Sequence, residues 1–398
     1  MSVFTAKDFY ARLHRVMSLL DEDNIKILQT MKECGPRNLR SIARRSQLSY
    51  STVYNRVDKL QTLSALRTWA NPSYSRIGLV RAMVLAESLP GKESLARDAL
   101  GIPGYWLRII RSTGKPNGYY SLHAIPASNQ QHFQQYLDQL VTRGLIKHYE
   151  IFWLEESFYP LPNFEYYDPK EKNWRFEWKD WLKLIGSGRA KETKENSFVP
   201  SRSYDKKDLI ILKELVKDAR VTLADLAKLL GMTLPATKYR FDRLIEEGYV
   251  EDYVITVLPF MPEVSDLYEI RLDFAERKSM KNSQEVLCRT PFVISITAIR
   301  DLNSITVRVY IPRQEMNNLL GFLSSLTREG VLTAYSYLQL DPSTQQTETF
   351  AYKLYEDRSG WHYDNREYLE AVSELVSNWS KNKSEKAPPE VALPLPSQ

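Results

Sequence analysis

Along Gln130–Gly144 the apolar residues fall at Phe133, Tyr136, Leu137, Leu140 and Val141. That i, i+3, i+4, i+7, i+8 spacing predicts a helix with one buried stripe. A second such stripe, Met316, Leu319, Leu320, Leu323 and Leu326, predicts a matching helix later in the chain. From Ser304 to Ile311 the period changes to two. Ile305, Val307, Val309 and Ile311 share one face, and Thr306, Arg308 and Tyr310 the other. This alternation predicts a strand in a sheet covered on one side only. Read through, each half gives strand, helix, strand, strand, helix, strand. That βαββαβ order is a ferredoxin-like sandwich with its helices on one face.

Each sandwich is preceded by a three-helix pattern, and the two patterns match. Asn24–Leu60 aligns without a gap on Asp208–Leu244. Ile27 and Leu28 fall on Ile211 and Leu212, Ala43 on Ala227, Arg56 on Arg240, Asp58 on Asp242 and Leu60 on Leu244. The recurring positions are those a three-helix unit must bury, which predicts an internal duplication. An aromatic-rich segment also recurs: Trp174 and Trp181 match Trp361 and Tyr368, and each is expected to pack over its own sandwich.

The expected α+β organisation has two winged helix-turn-helix units, each followed by a sandwich. It runs as an N-terminal helix (1–20), a first winged helix-turn-helix (21–77), a first sandwich (78–155) and an aromatic extension (156–185). A linker (186–203) leads to the second winged helix-turn-helix (204–262) and the second sandwich (263–341). A second extension with a C-terminal helix (342–380) and a Pro-rich disordered tail (381–398) complete the chain.

The third helix of the first unit carries the candidate chemistry. Ser49 is a good N-cap. Val53, Val57 and Leu60 face the core. Tyr50, Ser51, Tyr54, Asn55 and Lys59 are left pointing outward, with Thr52 and Arg56 at the margins. A short helix with an outward hydrogen-bonding face suits entry into a DNA major groove. The segment after it, Ser64–Leu79, has the length of a hairpin wing. Charge distinguishes the copies. Between Arg37 and Arg67 seven basic residues, including Arg37, Arg40, Arg44 and Arg45, face a single acid, Asp58, a local net charge of +6. The matching window Val221–Glu251 sums to −1, so its candidates Thr233, Lys238, Tyr239 and Arg243 should grip phosphates more weakly.

The stretch from Ser203 to Val257, with "LADLAKLLGMT" and "YRFDRLIEEGYV", resembles the helix-turn-helix of the leucine-responsive (Lrp/AsnC) transcription regulators. That resemblance implies a sequence-specific DNA-binding transcription regulator with sandwiches of the RAM/AsnC ligand-binding type. It implies double-stranded DNA as a partner, a small-molecule effector as a candidate one, and either a homodimer or an intramolecular pseudo-dimer. The unlike outward faces point to an asymmetric operator. The Gly-x-x-Asp stretch of that family's sensing domain has no full counterpart. Gly114 and Gly118 stand without the Asp, and the second half reads "RDLNS".

Composition narrows the alternatives. Two cysteines, Cys34 and Cys288, at unrelated positions exclude a disulfide framework and a thiolate metal centre. No Gly-rich phosphate loop or HExxH motif occurs, so no cofactor, no metal and no enzyme activity is expected. No apolar run reaches membrane length, so a cytoplasmic protein without membrane partners is expected. The same two-domain plan also resembles siroheme decarboxylases, tetrapyrrole enzymes that use His and Arg. Here His123 and His148 sit in strands and have no copy in the second half. A protein–protein adaptor with degenerate helix-turn-helix units is the third reading.

Overall fold

The computed structural model describes residues 19–63, 65–187 and 204–385. The expected N-terminal helix lies almost wholly outside them, as do most of the linker and residues 386–398 of the tail.

The first three-helix unit comprises α1 (Glu22–Cys34), α2 (Leu39–Ser46) and α3 (Tyr50–Thr62). Asp21, Asn38 and Ser49 cap them, each accepting a backbone N–H of the first turn. Strand β1 (Leu66–Pro72) follows. The first sandwich is β2 (Leu79–Ser88), α4 (Glu93–Gly101), β3 (Trp106–Gly114), β4 (Gly118–Pro126), α5 (Gln130–Thr142) and β5 (Ile146–Phe158), and its extension ends in α6 (Trp178–Gly186).

The order then repeats. The second unit has α7 (Lys206–Lys217), α8 (Leu223–Leu230), α9 (Leu234–Glu246) and β6 (Val250–Val257). Its sandwich is β7 (Ser265–Phe274), α10 (Arg277–Leu287), β8 (Val293–Ile299), β9 (Ser304–Pro312), α11 (Met316–Arg328) and β10 (Leu332–Leu340). A last helix, α12 (Asn365–Glu385), runs five residues into the segment expected to be a disordered tail. Its residues Glu367, Glu370 and Glu374 lie among alternating apolar ones, a pattern that sustains a helix.

The two sandwiches do not stand apart. In one, the strand order is β5-β2-β4-β3; in the other, β10-β7-β9-β8. Strand β5 pairs with β8 through Ile296 and Phe158, and β10 pairs with β3 through Leu340 and Ser112. The eight strands therefore close into a barrel in which each half covers the other's open edges. Closure leaves neither sheet an unpaired row of backbone groups.

This corrects the expectation of a half-solvated sheet. Thr306, Arg308 and Tyr310 point into the barrel and are buried. Their polarity is met inside it: the Arg308 guanidinium bonds to Glu269 at 2.7 Å and lies 4.7 Å from the Tyr120 ring centroid, and the Thr306 hydroxyl donates to Glu269. Arg81, also buried, donates to the Ser157 hydroxyl at 2.6 Å. Alternation in sequence marks two chemically different faces, and both are buried here.

The aromatic extensions also differ from expectation, because each crosses to the other half. Trp181 and Ile185 join the core of the second sandwich, with Trp181 5.4 Å from Phe292. Phe350, Tyr368 and Val372 join the core of the first, where Tyr368 meets Tyr136 edge-on at 6.3 Å. Strand β5 runs along the seam with β8, so the chain leaving it emerges beside the second half. The helical stripe of α5 is buried as expected at Phe133, Tyr136, Leu137 and Leu140, with Val141 half-buried. In α11 Leu319, Leu323 and Leu326 are buried as expected, while Met316 and Leu320 are half-buried and Phe322 joins the buried set.

No hairpin wing forms. Each unit contributes one strand, and β1 pairs antiparallel with β6 from Leu66↔Val257 to Pro72↔Val250. The segment Tyr74–Gly78 is a connection into β2. No described helix is long and apolar enough to cross a membrane.

Candidate nucleic-acid interface

The outward face of α3 is built as the periodicity requires. Val53, Val57 and Leu60 are buried, while Tyr50, Ser51, Tyr54, Asn55 and Lys59 are exposed. Tyr50 and Tyr54 are each 50% exposed, with ring centroids 6.3 Å apart. Ser49 is occupied in capping. Its hydroxyl accepts from Thr52 N at 3.0 Å and sits 2.9 Å from Ser51 Oγ and 2.8 Å from Thr52 Oγ1. Arg40, Arg44 and Arg45, on α2, are exposed. The α3 surface and this arginine group thus belong to one helix-turn-helix, with the second helix supplying cations and the third a hydrogen-bonding surface.

Three of the candidate cations are engaged elsewhere. Arg56 clamps the start of α1: its guanidinium lies 2.7 Å from Asp21 and 2.9 Å from Asp23. Its counterpart Arg240 does the same at 2.8 Å to Asp205 and 2.9 Å to the buried Asp208, and Arg243 also pairs with Asp208. Arg37 sits between the two helical units. It donates to the Ala219 carbonyl at 2.5 Å and lies 4.6 Å from the Phe241 ring centroid, and burial lowers its pKa. A signal for Arg56 was present in the sequence. The Asp21/Arg56 pair recurs as Asp205/Arg240, whereas groove-facing residues differ between the copies. Recurrence of a pair in both units marks residues that hold each unit together.

Further bonds fix the helical units to the strands. Ala219 N donates to Thr68 O at 3.1 Å, Arg220 to Gln61 at 2.6 Å, and Lys32 pairs with Asp252 at 2.7 Å. The pattern is reciprocal: α7 abuts β1, and α1 abuts β6.

The corresponding surface of the second unit is chemically different. Thr233 caps α9, Lys238 pairs with Asp242 one turn away, and Tyr239 is 64% exposed. Leu229 and Leu234 stand beside it, 55% and 52% exposed, an apolar character the sequence reading passed over.

His123 is wholly buried against Phe133, 4.9 Å between ring centroids, on the helix-covered side of the sheet. Burial lowers its pKa to about 3, so it is neutral. His148 is exposed. Gly118 is demanded by packing, since a Cβ there would fall 1.9 Å from the Ala86 carbonyl oxygen.

Residues 204–251 match the winged helix-turn-helix DNA-binding family model. Among curated proteins, the chain is 43% identical over 51 residues to an uncharacterized HTH-type transcriptional regulator of Pyrococcus furiosus, covering 13% of this chain and 34% of that one. It is 42% identical over 55 residues to the HTH-type transcriptional regulator LrpA of Pyrococcus abyssi, covering 14% of this chain and 39% of that protein. The chain thus matches little more than a third of these relatives' length. Among solved structures, the siroheme decarboxylase NirDL superposes with a TM-score of 0.50 at 13% identity, over 90% of this chain and all of that one. This likeness is one of fold alone. The family model matches the second unit, while the concentrated positive charge lies on the first. Over residues 204–251 the chain thus carries a winged helix-turn-helix DNA-binding unit similar to that of leucine-responsive (Lrp-type) transcription regulators.

Proposed function

We propose that this protein is a DNA-binding transcription regulator that arose by internal duplication and works as a single-chain pseudo-dimer, with its first helix-turn-helix as the stronger DNA reader. The observation that carries this reading is the exposed α3 surface of Tyr50, Ser51, Tyr54, Asn55 and Lys59 beside exposed Arg40, Arg44 and Arg45. Arginines neutralise phosphates without regard to sequence, and the helix face reads base edges. A homodimer presents two identical reading helices; this chain presents two unlike ones, so its preferred site is asymmetric. In vitro selection of bound duplexes tests this: an asymmetric consensus is expected, and perfect palindromes would contradict it.

The exposed Leu229, Leu234 and Tyr239 support a narrower second reading, in which the second unit contacts protein rather than DNA. A gel shift of the whole chain with non-specific duplex at low salt separates DNA binder from pure adaptor. In the proposed reading the chain is cytoplasmic and not an enzyme. His123, buried and neutral on the helix side of the sheet, is placed for packing. A purified preparation with tetrapyrrole absorption in the visible would overturn that part.

A further inference from the structure

The residue before the N-cap of the first helix differs between the two helical units. In the second it is Tyr204, before Asp205; in the first it is Leu20, before Asp21. Tyr204 fills the space it faces. Its ring lies 5.2 Å from that of Tyr355, and its hydroxyl donates to Ile77 O at 2.6 Å, the same carbonyl that accepts from the Trp361 indole at 2.7 Å. The first unit keeps the indole bond, Trp174 to Pro259 O at 2.9 Å, and the paired strands, Tyr167 opposite Trp174. Leu20 cannot reach that carbonyl. A cavity of about 530 Å³ stands there instead, lined by Leu20, Tyr167 and Trp174 on one side and by Phe260, Met261 and Val264 on the other.

The second difference is charge. The loop joining Asp168 to Asn173 has four residues, and its counterpart between Glu356 and Gly360 has three. The longer loop includes Lys172, held at φ 51°, which lines the cavity together with Arg313. Arg313 is already bonded to Asp266 at 3.0 Å, so among the described residues that line the cavity Lys172 is the cation left for a ligand.

We propose that this cavity binds a small organic monoanion with an aromatic or branched apolar body, its acidic group at Lys172 and its body between Trp174 and Phe260. The volume is that of ordinary small-molecule sites, and rings with one or two placed polar groups are their usual lining. The site is present in one half because Leu20 stands where the other half has a tyrosine. It also adjoins the reading unit: Asp21, next to Leu20, is the carboxylate that Arg56 of α3 grips. The proposal goes beyond the DNA-binding reading, and its test uses no DNA.

The test is titration of the full chain with 1-anilinonaphthalene-8-sulfonate, an aromatic monoanion, and with neutral N-phenyl-1-naphthylamine. Saturable one-to-one sulfonate binding is expected. Leu20→Tyr, which rebuilds the tyrosine contact, should weaken it by about tenfold or more. Lys172→Ala should weaken the sulfonate several-fold and leave the neutral dye unchanged. Should Leu20→Tyr fail to fold, Val264→Trp at the 46% exposed rim obstructs the same space. Parental affinity in the folded obstructing variant, or equal losses of both dyes in Lys172→Ala, would overturn the proposal.

Discussion

Gln47 and Gly231 occupy the same turn between the second and third helices, both left-handed, at φ 59° and 60°. Glycine takes this conformation freely, while a side chain there costs about 1 kcal/mol. Gln47→Gly should therefore stabilise the protein by roughly 1 kcal/mol, less the added entropy of the unfolded chain, read as a raised urea midpoint. Glu251 gives a second test. It lies on β6 against Glu156, with Asn71 donating to it at 3.2 Å and Arg81 nearby. Desolvation of its carboxylate first, and the Glu156 charge second, raise its pKa to about 8 from an ordinary 4.5, although the residue as a whole is exposed and solvent screening keeps the contribution to stability small. The folded state therefore holds a proton the unfolded state releases, so the stability it contributes is full below about 4.5 and is lost as pH rises towards 8. Glu251→Gln keeps the neutral form and should flatten the fall in urea midpoint over that window; an unchanged slope would show that Glu251 does not cause it. At this scale the sequence was legible for exposure and poor for pairing. The outward set on α3 followed from 3.6-residue spacing. The partners of Arg37, Arg56 and Arg243 did not, because they come from other elements.

The strands and helices themselves were readable, since period two and period 3.6 are local properties. Their neighbours were not. The loss of the hairpin wing shows why: β1 has no local partner and completes its hydrogen bonds with β6, far along the chain. The crossing of the aromatic extensions has the same origin, in the seam between β5 and β8. The clamp that orders α3 on α1 yields a prediction for the element. Arg56→Ala removes two ion pairs that are about a third exposed, so a loss of roughly 1 kcal/mol is expected, by thermal or urea denaturation. Weakened DNA binding should accompany it only in so far as α3 loosens. A variant of full stability and abolished binding would instead put Arg56 on the DNA.

For the whole molecule, barrel closure makes the two halves interdependent. Either half alone bares both free edges of a four-stranded sheet and the apolar surface that the other half's extension covers. Separately expressed halves should self-associate or aggregate, and mixing them should restore one heterodimer, as light scattering would show; two stable monomers would contradict the closed barrel. The repeated order of elements was legible in sequence because the matched positions are buried ones. The unequal charge of the two units was legible too, and the proposed division of labour rests on it. The central claim, that the first helix-turn-helix holds the DNA, is tested most directly by the salt dependence of duplex binding for the parent, for Arg40→Ala/Arg44→Ala/Arg45→Ala and for Lys228→Ala/Lys238→Ala. The first variant should bind every sequence more weakly, with a log–log salt slope shallower by about 0.9 for each phosphate contact removed, while the second stays close to the parent. An unchanged slope and affinity in the arginine variant, or a larger loss in the lysine variant, would contradict the account.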